Sequence, residues 1–110
     1  MTGDGMRVLQ VHVAEEGPKL RDITRDLGGI ECHLVRPEQP VAAGFSFTQR
    51  SVSLWTYTRK SNGQQVWLIE MTVFSPPDAQ WYESWVVDAE PTDDQIMTII
   101  THGAEAGSVL

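Results

Sequence analysis

SVSLWTYTRKSNGQQVWLIEMTVF, residues 51–74, decides how the chain folds, because two alternating runs meet at the dipeptide Asn62-Gly63. Asn-Gly between such runs is a strong hairpin signal: a type I′ turn needs positive φ at both central residues, and these two residue types tolerate it. A two-residue turn sets Ser61 opposite Gln64 and predicts the pairs Arg59/Val66, Tyr57/Leu68, Trp55/Glu70, Leu54/Met71 and Val52/Val73. Alternate side chains of a strand point to opposite faces. One face therefore collects Val52, Leu54, Thr56, Thr58, Trp67, Ile69, Met71 and Val73, apolar enough to be core. The other collects Ser53, Trp55, Tyr57, Arg59, Val66, Leu68, Glu70 and Thr72, aromatic but charged.

Working outward from the hairpin, Ala79 to Asp88 reads as a further strand after the turn Ser75-Pro76-Pro77-Asp78. If Phe74 faces Ala79, then Thr72/Trp81, Glu70/Glu83 and Leu68/Trp85 become neighbours on the charged face. A slip of one residue exchanges these for Tyr82, Ser84 and Val86. The segment after it carries a helix signature. Thr92 with Gln95 makes a capping box, Asp93 and Asp94 complement the macrodipole, Ile96, Ile99 and Ile100 form a stripe, and Gly103 stops the helix. Upstream, Arg7 to Val13 alternates as a strand with Leu9, Val11 and Val13 on one side. Pro18 suits a helix start, Leu20, Ile23 and Leu27 form a narrow stripe, and Gly28 can end it. Ile30 to Val35 alternates again. Arg36 to Ala43 contains Pro37 and Pro40, cannot be a central strand and reads as a loop; Gly44 to Gln49 reads as a strand leading into the hairpin.

The predicted order is β-α-β-β-β-β-β-α. This is an α+β fold, an antiparallel sheet of about five to six strands with helices near residues 18–27 and 93–102 packed on one face. A single domain spans 6–103, flanked by a small polar leader at 1–5 and a loose tail at 104–110.

At 110 residues the chain can bury one core without metal or disulfide staples. No apolar run is long enough to span a bilayer, residues 1–6 lack a signal-peptide pattern, and the lone Cys32 cannot bridge within the chain. The expected location is cytoplasmic. Net charge is −7, and residues 61–110 hold eight carboxylates with no Lys or Arg. Such a field repels phosphate backbones and anionic lipid, which argues against nucleic-acid and membrane partners. It favours solubility, a cationic ligand, a metal ion, or a basic patch on a partner protein.

With both helices on the apolar face, Trp55, Tyr57 and Glu70 are left looking at water, joined in the first register by Trp81, Glu83 and Trp85. An exposed aromatic patch of that kind marks an interface or a ligand groove. Two kinds of covering fit it. One is a second copy in a homodimer, or the loop 36–44 folded across the face. The other is a small ligand, a flat organic cation or a sugar, held by ring faces and a carboxylate. Catalysis has less material. Opposed carboxylates Glu70 and Glu83 could split into an acid and a base, but Cys32 and His33 point to opposite faces and make no dyad. His12, His33 and His102 lack metal-ligand spacing, the acids at 88–94 lack an EF-hand's glycine and terminal Glu, and no phosphate loop, Gly-x-Ser-x-Gly or CxxC is present. No cofactor, metal or catalytic residue is therefore assigned.

The opening β-α-β-β-β order, with His12 on the first strand and Glu70 after a Gly-containing turn, resembles one module of the vicinal-oxygen-chelate (glyoxalase-type) proteins over Arg7 to Phe74. That resemblance implies a divalent metal held by a His and a Glu between paired modules. The residues alone favour a non-enzymatic accessory protein, with the metal-dependent enzyme and the acidic partner-binding protein as alternatives.

Overall fold

The computed structural model describes residues 6–14, 29–41, 49–75 and 79–102. The expected leader, the helix near 18–27, all but the last residue of the strand Gly44–Gln49, the turn residues 76–78 and the tail lie outside these residues. The described part is a five-stranded antiparallel sheet with one helix. The strands are β1 (Val8–Ala14), β2 (Gly29–Val41), β3 (Gln49–Arg59), β4 (Gln65–Ser75) and β5 (Ala79–Val87), and the helix is α1 (Asp93–His102). Their order across the sheet is β1-β5-β4-β3-β2. The α+β class stands, with one helix among the described residues. No helix among them is long and apolar enough to cross a membrane.

The central hairpin forms, with both faces divided as the alternation predicts, but in a register displaced by two residues. Tyr57 faces Val66, Trp55 faces Leu68 and Ser53 faces Glu70. The cause is the turn. Arg59 N–H donates to Gln64 O and Gly63 N–H to Arg59 O, both at 2.8 Å, so the loop holds residues 60–63 and closes on Arg59/Gln64. Gly63 has φ +69° while Asn62 stays out of the positive-φ region and uses its side chain instead, Oδ1 accepting from Gln64 N–H at 2.9 Å. An even displacement keeps every side chain on its face. A Cβ at Gly63 would meet no atom within 4 Å, so Gly63→Ala carries only the left-handed backbone cost, about 1–2 kcal/mol. Urea denaturation should show that loss, with Gly63→Asn losing less.

β5 pairs with β4 one residue away from the first expected register: Thr72 faces Tyr82, Glu70 faces Ser84 and Leu68 faces Val86. An odd displacement flips the strand. Trp81, Glu83 and Trp85 therefore lie on the opposite face from Trp55, Tyr57 and Glu70. The driving force is burial: in this register Trp85 joins Ile69, Met71, Leu54 and the α1 isoleucines in the main core and is fully enclosed.

Residues 36–41, expected as a loop, continue β2. Pro37 and Pro40 are tolerated because β2 is an edge strand, where a missing ladder donor costs little. At the other edge, a bulge between Val8 and Gln10 sends Val8 toward the main core and Leu9 toward the second face, leaving Val11 and Val13 exposed. Arg7 and Asp88 tie β1 to the end of β5 by paired backbone and side-chain contacts, Arg7 N–H donating to Asp88 Oδ1 at 2.7 Å.

α1 follows its signature. Thr92 N–H donates to Gln95 Oε1 at 2.9 Å and Gln95 N–H to Thr92 Oγ1 at 3.2 Å, a closed capping box. Ile96, Ile99 and Ile100 are buried against the apolar face of the sheet.

Candidate functional site

The second face, expected to look at water, is closed at its centre within one chain. Tyr57 is 3 % exposed, Glu70 2 % and Ser53 3 %, and Val66, Leu68 and Val86 are fully buried beside Tyr57. Leu9, Cys32 and Trp55 pack against this second cluster. Of the six residues singled out from sequence, Trp55, Tyr57 and Glu70 stay together here, Trp55 half-buried. Trp81, Glu83 and Trp85 are on the α1 side, where Trp81 Nε1–H donates to Glu83 Oε2 at 2.8 Å.

Register brings a polar row across this second face that no local motif signals. His12 on β1 faces Ser84 on β5, Ser84 faces Glu70 on β4, and Glu70 faces Ser53 on β3. Ser53 Oγ accepts from Trp55 Nε1–H at 3.0 Å, and Ser84 Oγ is buried with no hydrogen-bond partner among the described residues. For the glyoxalase-type layout, His12 and Glu70 share the face but stand two strands apart, about 10 Å, with Ser84 between them. The described residues hold no group of three or more His, Cys, Asp or Glu placed to hold a metal ion. Burial also closes Ser84 to any substrate.

Further along this face, burial pushes the Tyr57 hydroxyl above its ordinary value of about 10, with the Arg59 guanidinium pulling it down and Cys32 raising it further. A proton held more tightly in the folded state adds stability below about pH 10 and loses it as pH rises through the raised folded value. Unfolding midpoints measured between about pH 8 and 11 should therefore fall at the alkaline end, and Tyr57→Phe should flatten part of that fall.

On the α1 side lies a cavity of about 360 Å³ between the second half of β2, β3 and α1. Val41, Val52, Leu54, Ile96 and Met97 form its walls, with Pro37 and Pro40 at the edge. Each wall has a sequence cause. Val52 and Leu54 belong to the apolar set of β3, and Ile96 and Met97 to the N-terminal half of α1. Arg36, Gln39 and Asp93 supply the polar part.

Arg36 reaches this face because β2 is bulged. Leu34 faces Trp55 on the second face, yet Arg36, two residues on, faces Leu54 on the α1 side, and a register shift separates them. Without the extra residue, Arg36 would follow Leu34 to the other face; re-aiming a side chain is what a bulge does. A second shift before Gln39 keeps Gln39 opposite Val52, over the same cavity. An earlier shift between Ile30 and His33 coincides with Glu31 at φ +56°. Arg36 Nη1–H donates to Asp93 Oδ1, an ion pair that spans from β2 to the start of α1 at the cavity's polar end. Sequence reasoning missed these residues. Arg36 and Asp93 are 57 positions apart, the prolines disguised β2 as a loop, and nothing local marks the bulge.

The lining among the described residues offers no His or Cys, and the Ser53 hydroxyl that borders it is bonded to Trp55 on the other face. Compared with protein-family models, curated proteins and solved structures, the chain matches none.

Proposed function

We propose that this chain is a non-catalytic binding domain that takes a small organic molecule with an apolar body between β2 and α1. The observation that carries the reading is the cavity itself, about 360 Å³ with aliphatic walls and a few convergent polar groups. Pockets of roughly 300–1,000 Å³ with this composition are the usual form of small-ligand sites. The cationic ligand expected from sequence was tied to Glu70 beside Trp55 and Tyr57. Tyr57 and Glu70 are buried within one chain, while Trp55 is half-buried and its neighbour Leu34 is exposed on that face.

Fragment screening by two-dimensional amide NMR tests the reading. Ligands should perturb Val41, Val52 and Ile96 together, and Met97→Trp, which fills the space, should weaken them by at least about tenfold, equivalent to about 1.4 kcal/mol. Shifts confined to residues around Trp55, or indifference to Met97→Trp, would sink it.

A further inference from the structure

Resting on that cavity as the binding site, we infer that its ligand carries a carboxylate, taken by Arg36, on an aliphatic or aromatic body that fills the space between β2 and α1. Arg36 stands over the cavity half-exposed, with a side-chain exposure of 42 %, whereas the Asp93 carboxylate turns outward at 83 %. The guanidinium is thus the less hydrated charge of the pair and the one presented to an occupant. Charge in partly desolvated surroundings interacts more strongly than charge in water.

The pairing with Asp93 uses one N–H, on Nη1. Guanidinium is a planar fork with further donors on Nε and the second Nη, and no other partner takes them among the described residues. A carboxylate matches two adjacent donors at once, which a hydroxyl or an ammonium cannot do. The start of α1 at Asp93 adds the positive end of the helix dipole on the same side.

Overall charge does not reverse this preference. The excess of carboxylates acts at long range and is screened beyond about 10 Å at 0.1 M salt. Asp93, paired with Arg36, offsets part of the guanidinium's charge, so the carboxylate's advantage rests on the N–H donors that this pairing leaves over. The exposed acids Glu90 and Asp94 near the start of α1 and the single guanidinium favour a monoanion over a phosphate dianion. Gln39, opposite Val52 beside the cavity, can add one amide donor.

Titration calorimetry of the full chain with octanoate, 1-octanol and octyltrimethylammonium, alike in apolar tail, separates the head group from the cavity. Octanoate should bind at least tenfold more tightly than 1-octanol. Arg36→Gln should remove that margin, weakening octanoate far more than 1-octanol, and Arg36→Lys should restore part of it. Asp93→Asn, which frees the guanidinium, should strengthen octanoate. Met97→Trp should weaken all ligands that bind. Equal affinities for the three, or octyltrimethylammonium binding best, overturn the carboxylate assignment and leave the cavity standing. Failure of all three on the wild-type chain overturns the binding reading and this inference together.

Discussion

Alanine at Trp85 is expected to lower the free energy of unfolding by about 3–5 kcal/mol, the range for deleting a large enclosed aromatic side chain. Trp85 has no exposed surface. It faces Val11 on one side and Ile69 on the other across the sheet, and shares a cluster with Ile96, Ile99 and Ile100 of α1. The lost contacts are therefore those that hold the helix to the sheet. Single domains have only about 5–15 kcal/mol in total, so this variant should be near the limit of folding. Tyr82→Ala is the internal comparison. Tyr82 is half-buried on the second face, and should cost about 1–2 kcal/mol. Urea midpoints for the two variants check the register of β5 directly, because a strand displaced by one residue would exchange their costs.

The same pair of residues shows how far the sequence could be read. The hairpin faces were legible because alternation depends only on parity, and a loop of four residues in place of two shifts the register without disturbing parity. β5 was not legible to that degree, because its loop has no Asn-Gly to fix it, and one residue decides which of Trp85 and Val86 enters the main core. α1 was legible to its ends, since the Thr92–Gln95 box is a local signal that needs no tertiary partner. β2 was hidden by Pro37 and Pro40, whose exclusion applies to central strands and lapses at an edge. The cavity could not have been found from the chain alone: Arg36 turns to the α1 side only through a bulge, and its partner Asp93 belongs to an element that sequence reading treats separately.

Glu70→Lys is expected to cost at least about 4 kcal/mol, with Glu70→Gln held to about 1–3 kcal/mol. Glu70 is 2 % exposed and sits between Ser53 and Ser84 in the row across the second face. An ammonium placed there loses its water, and two flanking hydroxyls replace only part of that hydration. Gln keeps the shape and most hydrogen-bonding capacity and gives up only the charge. The contrast tests which surface the protein presents. On a sheet face open to solvent, both variants would stay within about 0.5 kcal/mol of the wild type, because exposed substitutions away from special features rarely do more. A steep difference between Lys and Gln, read by urea denaturation at neutral pH, locates the carboxylate inside the folded chain.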